Sequence, residues 1–434
     1  VRFSRRIINT AIAIYLGAQT LFLINIQFPT GPNFDEFHYV PSAKQFLARK
    51  ENQNWEHPPL GKLMMAVGIQ ALGDRPIGWR VMSTVFGALT LVGMYFLGLV
   101  LLETEEAAIW ITLLTFVNQL LYVQARIGML DTFMFGFLVW AMAAYSAAWL
   151  PTLSIAQNKR LFAFAGLMFG LSISCKWFTV VPWVGCAMMI GVIRIFQIWK
   201  VRFKDPLPGD WYHPEMWCGI RWYYFVLSLG VLPLAVYFCS FLPYLLMKDS
   251  HFAIKDFLKI QEKMWNGQLR VVASHPYMSH WLDWPLLKRP IWYAFDRLGA
   301  NKEWVRGVIL LGNPLIMWTG VLAVLACFWG WIIKRDRAGF LISFFFTLFY
   351  ACWIVIPRKV SFYYYYYPAG MTLSLALGYV FFRKEFGKLY SISWLKWVFL
   401  GSALSLFVYF FPILAALRIP SESFRKWMWF PSWI

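Results

Sequence analysis

The chain alternates long apolar runs with polar breaks, and most runs fall in one length class. They lie at about 7–28, 79–102, 107–123, 128–149, 161–176, 178–196, 222–246, 305–333, 338–356, 361–382 and 394–417. About 20 apolar residues in a helix cross the hydrocarbon core of a bilayer, and a helix satisfies its own backbone there. The pattern predicts an all-α, polytopic integral membrane protein with about eleven transmembrane helices. The fifth and sixth runs are close enough to form one bent hairpin, and an odd number places the termini on opposite sides. The first run, Ile7 to Phe28, follows Arg2, Arg5 and Arg6. Its length, and the lack of a small-residue cleavage pattern, favour a retained helix over a signal peptide.

Two polar intervals are long and divide the chain. Residues 1–246 form an N-terminal transmembrane module whose first outer loop is 29–78; 247–304 is a second outer loop; 305–434 is a C-terminal four-helix module. Among the short loops, cations gather on the side of the N-terminus: Lys159, Arg160, Arg194, Lys200, Arg202, Lys204, Arg221, Lys334, Arg335, Arg337, Arg383, Lys384 and Lys388. Positive loops stay inside, so the N-terminus is expected in the cytoplasm and both long loops outside. The acidic corner at Glu103, Glu105 and Glu106 reads as a solvated turn. The long loops mix aromatics with cations, as at Lys248, Lys255, Lys259, Lys263, Arg270, Lys288 and Arg289. That mixture suits amphipathic helices on the membrane surface or a lid over a site at its edge.

Composition agrees with the pattern. Of the residues, 60% are hydrophobic, 20% aromatic and only 14% charged, where a soluble domain has roughly a quarter charged. The net charge of +19 therefore points to loops and anionic lipid rather than to nucleic acid. Cys175, Cys186, Cys218, Cys239, Cys327 and Cys352 show no CxxC spacing and read as small core residues. The run Tyr363 to Tyr367 reads as an interfacial aromatic belt.

Charges at span ends mark where chemistry is expected, because ionisable groups in a membrane are costly. Arg126 and Asp131 open the fourth span, Lys176 separates the fifth from the sixth, and Arg358 and Lys359 precede the tenth. Asp35 and Glu36 follow the first span on the same side. Such a face suits sugar transfer from a lipid phosphate to a hydroxyl. A carboxylate accepts the hydroxyl proton, and fixed cations stabilise the leaving phosphate, for which the planar fork of Arg is well shaped. Arg126 and Asp131 are five residues apart, roughly 140° around a helix, which favours separate roles.

Local wording adds a family. Phe34-Asp35-Glu36-Phe37-His38-Tyr39, followed by His57-Pro58-Pro59-Leu60-Gly61-Lys62, resembles the first outer loop of the protein O-mannosyltransferases. Arg126-Ile127-Gly128-Met129-Leu130-Asp131 resembles that family's Arg-x-x-x-Leu-Asp motif, and Ser174-Cys175-Lys176-Trp177 its Lys-Trp at the end of the fifth helix. His275-Pro276-Tyr277, Trp284-Pro285-Leu286, Arg289-Pro290-Ile291-Trp292-Tyr293, Gly312-Asn313-Pro314 and Tyr366-Tyr367-Pro368-Ala369 extend the likeness over most of the chain. The resemblance implies a GT-C glycosyltransferase fold with its site under the first outer loop. It implies Asp35 and Glu36 as the catalytic pair, with Asp35 the base. It also implies a polyprenyl (dolichyl-type) phosphate mannose donor, a Ser or Thr acceptor on an exported polypeptide, inversion at the anomeric carbon, and importance of Arg126. Phosphate contact by Lys176 and Arg358 is inferred from charge and side, together with Arg126. His38, His57, Lys62 and Asp131 are expected in support.

One departure stands out. Eukaryotic members carry a β-trefoil domain in the loop that here spans only 247–304. A bacterial-type member in the plasma membrane is the expectation, with its site on the outer face (the ER lumen if eukaryotic). Transfer of another lipid-linked sugar to a lipid or cell-wall glycan remains the alternative. A transporter or flippase is disfavoured by the absence of charged span midplanes and of a repeat. No cofactor is called for. A divalent metal on His57, His275, His280 and Asp283 stays open, although their spacing is not diagnostic.

Overall fold

Helix boundaries are set by local chemistry. The computed structural model describes residues 4–201, 209–247, 253–270, 274–356 and 358–434; Arg202, Lys204 and Lys248, assigned to loops above, lie outside them. Helix α1 (Arg5–Leu23) starts where Ser4 Oγ accepts from the Ile7 amide. After it come α2 (Glu36–Leu47), α3 (Leu60–Leu72) and α4 (Pro76–Leu102). Pro76 opens α4, where a missing N–H does no harm, and Glu103 closes it in a left-handed turn at φ 60°. The run expected at 107–123 is two pieces, α5 (Glu105–Val117) and α6 (Gln119–Gln124). They break at Asn118, whose Nδ2 donates to the Gly370 carbonyl at 3.0 Å. Next follow α7 (Leu130–Ala147), α8 (Ile155–Ile173), α9 (Val180–Ile198), α10 (Trp222–Val226) and α11 (Leu232–Ser240). A Ser154–Gln157 capping box starts α8.

The second long loop holds α12 (Phe257–Leu269) and β1 (Ile291–Leu298), and β2 (Trp304–Leu310) follows from its end. The chain ends in α13 (Pro314–Lys334), α14 (Arg337–Tyr350), α15 (Cys352–Val355), α16 (Tyr367–Phe382), α17 (Gly387–Ser391), α18 (Leu395–Leu414) and β3 (Ile419–Pro420). Eight of the described helical stretches are long and apolar enough to cross a membrane: Arg5–Leu23, Pro76–Leu102, Leu130–Ala147, Trp177–Ile198, Trp222–Leu246, Pro314–Lys334, Arg337–Val355 and Leu395–Leu414. The other expected spans are also helical. However, α5 and α6 are broken at Asn118, α8 opens on Gln157, Asn158, Lys159 and Arg160, and α16 has 16 residues. Helix α7 is the axis of the bundle, packed between α4 and α8, while α16 packs on α13, α14 and α5.

The fold is mostly helical, as expected, with one small sheet added. Strands β1 and β2 form an antiparallel hairpin, Ile291 opposite Leu310 and Leu298 opposite Trp304, and β3 adds to its other edge through Val305 and Ile419. The span expected from 305 therefore starts at Pro314. The β-branched apolar run of β2 leads into the helix, and hydropathy does not separate a buried strand from a helix. Gly312-Asn313-Pro314 marks the boundary, with Asn313 capping the Leu315 amide.

The acidic corner is an exposed turn, as expected, and its acids are paired. Glu103 pairs with Arg337, Glu105 with Arg6, and Glu106 with Lys396, while Arg383–Asp336 and Arg335–Asp210 join the same end of the bundle. The α4–α5 turn lies among the cation-rich turns, so its acids meet their cations. Exposed pairs of this kind are worth only about 0–1 kcal/mol each.

Two arginines at the opposite end matter more. Arg80, fully buried near the start of α4, donates to both Glu36 oxygens at 2.8 Å and to the carbonyls of Ile26, Pro29 and Gly31 at 2.7–3.1 Å. Arg126 donates to the carbonyls of Phe22, Ile24 and Leu414, tying the end of α1 to the end of α18. A buried ion left without its partner costs about 3–5 kcal/mol. Arg80→Ala is expected to remove about that much stability, read as a large fall in Tm of the detergent-solubilised protein; an unchanged Tm would refute the clamp. Arg80→Lys should not restore it, since one ammonium has three donors rather than five.

Candidate active site

The end of the bundle that carries Arg80 also carries every residue singled out by its chemistry. Asp35 stands at the N-terminus of α2, next to Glu36. The two differ completely in their surroundings. The Glu36 carboxylate accepts from Arg80, from the Asn33 amide and side chain at 3.1 and 3.0 Å, and from the Gly128 amide at 2.7 Å. With so many donors on a fully buried group, it holds the loop in place and has no free lone pair for a substrate. Asp35 is only partly buried and accepts one side-chain hydrogen bond, from Tyr39 Oη at 3.1 Å. Burial pushes its carboxyl above the ordinary carboxylate range, against the pull of Lys176 and of the Tyr39 hydroxyl. His38 is exposed one helical turn along.

Lys176 sits in the break between α8 and α9. Its Nζ donates to both Asp131 oxygens at 2.9 and 2.8 Å and lies 4.8 and 5.4 Å from the ring centres of Tyr364 and Tyr365. The Arg358 guanidinium lies 4.9 Å over Tyr365, and its buried Nε has no hydrogen-bond partner among the described residues. These groups border a cavity of about 270 Å³ lined by Glu56, His57, Asp131, Lys176, Arg358 and Tyr365. Met134, Phe178, Val181, Trp353 and Ile356 supply apolar lining. Trp265, Gln268 and Leu269 of α12 also line it.

Lys62 and His57 act through the loop between α2 and α3. Lys62 Nζ donates to the Asn54 carbonyl at 2.6 Å, to its side chain at 3.2 Å and to the His57 carbonyl at 2.9 Å. Burial among neutral acceptors pushes this amine down to about 7. Burial, followed by the cations Lys176, Lys62 and Arg358, pushes His57 well below its ordinary value, so at neutral pH the cavity meets a neutral imidazole. Among the alternative metal ligands, His275 packs on Phe34 and Phe362, and His280 and Asp283 close one short turn.

Three expectations change. Arg126 leaves the phosphate set, because three of its five N–H groups are bound to backbone carbonyls of distant segments and Tyr122 covers it at 4.8 Å. Glu36 moves from reacting group to anchor. The tyrosine run is no lipid-facing belt: all five rings are buried, with Tyr364 against Phe34, Tyr365 against Trp353, Tyr366 against Tyr350 and Tyr367 against Phe135. Arg80 was missed altogether, although an arginine one residue into an apolar span was the signal available.

The arrangement offers one under-solvated carboxylate, a neutral imidazole, two cations over aromatic faces and an apolar slot. A base works only as its carboxylate, so the rate should fall as pH drops through the raised Asp35 pKa. Tyr39→Phe removes a donor that favours the charged form, and the acid limb of kcat/KM should then move to higher pH; an unmoved limb would exclude Asp35 as the titrating base.

Known proteins with related sequences and folds are consistent with this chemistry. A family model described as dolichyl-phosphate-mannose-protein mannosyltransferase matches residues 71–246, and one for the C-terminal four-TMM region of protein-O-mannosyltransferase matches 253–433. The polyprenol-phosphate-mannose–protein mannosyltransferase of Mycolicibacterium smegmatis is 25% identical over 98% of this chain and 92% of its own length. The Mycobacterium tuberculosis protein of the same name is 24% identical over 93% and 86%. In fold, the chain resembles the Saccharomyces cerevisiae protein O-mannosyltransferase Pmt1-Pmt2 complex bound to the sugar donor, with TM-score 0.80 and 14% identity, over 100% of this chain and 93% of that one. ArnT from Cupriavidus metallidurans follows at TM-score 0.61 and 14% identity, over 94% and 76%.

Proposed function

Because the chain belongs to the protein O-mannosyltransferase family, we propose that it transfers mannose from a polyprenyl phosphate mannose to Ser or Thr hydroxyls of exported polypeptides. The observation that carries this reading is one available carboxylate, Asp35, within electrostatic reach of Lys176 and Asp131, which line a cavity that also holds Arg358, with its unpartnered Nε, and an apolar lining.

The apolar lining takes the first isoprene units of the donor, with the rest of the prenyl chain in lipid. The phosphate lies against Arg358 and Lys176. A phosphodiester leaving as a monoester gains negative charge, and Arg358 with its unpartnered Nε meets that charge. Lys176 is partly neutralised by Asp131 and holds the inner wall of the cavity. The acceptor hydroxyl approaches the anomeric carbon from the side of Asp35, gives up its proton to that carboxylate and bonds to the sugar as the phosphate departs, which inverts the centre. Glu36 and Arg80 fix the position of Asp35, and His57 and Lys62 the opposite rim. Positive-inside loops and surface aromatics support a site at the outer edge of the membrane.

Two variants test the roles. Asp35→Asn keeps the size of the side chain and is expected to abolish transfer while leaving Tm and donor binding unchanged; transfer at the wild-type rate would exclude Asp35 as base. A charge-assisted hydrogen bond contributes about 1.5–3 kcal/mol, so Arg358→Ala should weaken donor use by about 10- to 100-fold with acceptor KM unchanged. An unaltered donor KM and kcat would remove Arg358 from the phosphate site.

A further inference from the structure

A second, larger cleft lies beside the cavity on the same end of the molecule. It has a volume of about 830 Å³, within the range of ligand-binding clefts, and is lined by Glu51, Gln53, Trp55 and Glu56 on one side and by Lys259, Glu262, Lys263, Asn266, Gly267 and Arg270 on the other. Helix α12 separates the two spaces. Trp265, Gln268 and Leu269 face the cavity, and the helix's polar positions face the cleft. Glu56 borders both spaces. Its carbonyl accepts from Gln268 Nε2 at 2.6 Å, its carboxylate from Asn54 Nδ2 at 2.8 Å, and Lys62 fixes the Asn54 backbone beneath it. The cleft thus leads to the rim of the reaction cavity, and its junction is built from fixed groups.

The chemistry of the lining narrows the occupant. Three carboxylates (Glu51, Glu56 and Glu262) stand against three cations (Lys259, Lys263 and Arg270). An anionic lipid headgroup would call for an excess of cations. Trp55, the aromatic among the described lining residues, is already stacked on Tyr244 at 4.8 Å and 17° and carries Lys263 Nζ 4.7 Å over its ring, so it offers a sugar ring no open platform. Amides and balanced charges along an open trough suit a polar main chain with mixed side chains.

We propose that this cleft is the acceptor-binding site, holding an extended polypeptide along α12 so that a Ser or Thr enters the cavity past Glu56. The proposal rests on the transfer reading above and adds the place and chemistry of acceptor recognition.

Gly267 gives the test. A Cβ there would meet Glu56 Cγ at 3.5 Å, an ordinary contact, and replacing glycine inside a helix favours the helix. The full-length protein is assayed with polyprenyl phosphate mannose and two acceptors, a Ser/Thr-containing peptide of about a dozen residues and a blocked single threonine. Gly267→Phe should raise the peptide KM about tenfold or more while single-threonine transfer stays within about twofold, because only contacts along the cleft are lost; Gly267→Ala should behave as wild type. Glu262→Lys, at an exposed position, should raise KM for peptides with basic flanks and lower it for those with acidic flanks. An unchanged peptide KM in Gly267→Phe, an equal loss on both acceptors, or no flank dependence in Glu262→Lys would overturn the cleft. Wild-type protein that mannosylates neither acceptor would instead overturn the transfer reading, and the cleft with it.

Discussion

Everything at the reactive end depends on an ion pair that never sees water. Arg80 and Glu36 are both fully buried and meet through two 2.8 Å hydrogen bonds. Taking two such ions out of water costs several kcal/mol each even after the protein relaxes. That penalty is offset only if the remaining donors and acceptors are satisfied, and here they are: three loop carbonyls complete Arg80, while Asn33 and Gly128 complete Glu36. The pair therefore does more than join two helices. It folds residues 26–36 around one guanidinium and fixes the start of α2, where the neighbouring Asp35 faces a different environment.

That difference between adjacent carboxylates is what makes the site usable. Five donated hydrogen bonds keep Glu36 occupied, whereas Asp35 accepts from one phenol and burial makes it more basic than an ordinary aspartate. Lys176–Asp131 forms a second, inner pair, capped by Tyr364. Weak screening strengthens every charge interaction in such a place. Arg358, by contrast, keeps a buried Nε without a hydrogen-bond partner among the described residues and stacks over Tyr365, outside the inner pair.

Helix α12 couples this chemistry to its surroundings. Leu258, Trp265 and Leu269 expose apolar surface while Lys259, Glu262 and Asn266 line a polar cleft. One short amphipathic helix thus borders the cavity and the cleft at once. The Glu56–Gln268 contact fixes the point where these surfaces meet.

The apolar runs alone determined that the chain is a membrane bundle, because twenty-residue periods of hydrophobicity have few other uses. The first-loop motifs marked the neighbourhood of Asp35, and charged span ends marked Lys176, Asp131 and Arg358. What the sequence left open concerns direction and partners, which spacing does not encode. Asp35 and Glu36 are adjacent letters, yet only the tertiary structure separates an available carboxylate from a saturated one. Arg126 looked like a phosphate ligand until three carbonyls from distant helices claimed it. Tyr363 to Tyr367 looked like an interfacial belt until Phe34 and Phe135, far away in the chain, packed against its rings. The β1–β2 hairpin was hidden because an apolar strand and an apolar helix share one hydropathy. In each case the deciding fact was a hydrogen bond or contact between residues far apart in the chain, and local pattern carries no information about those.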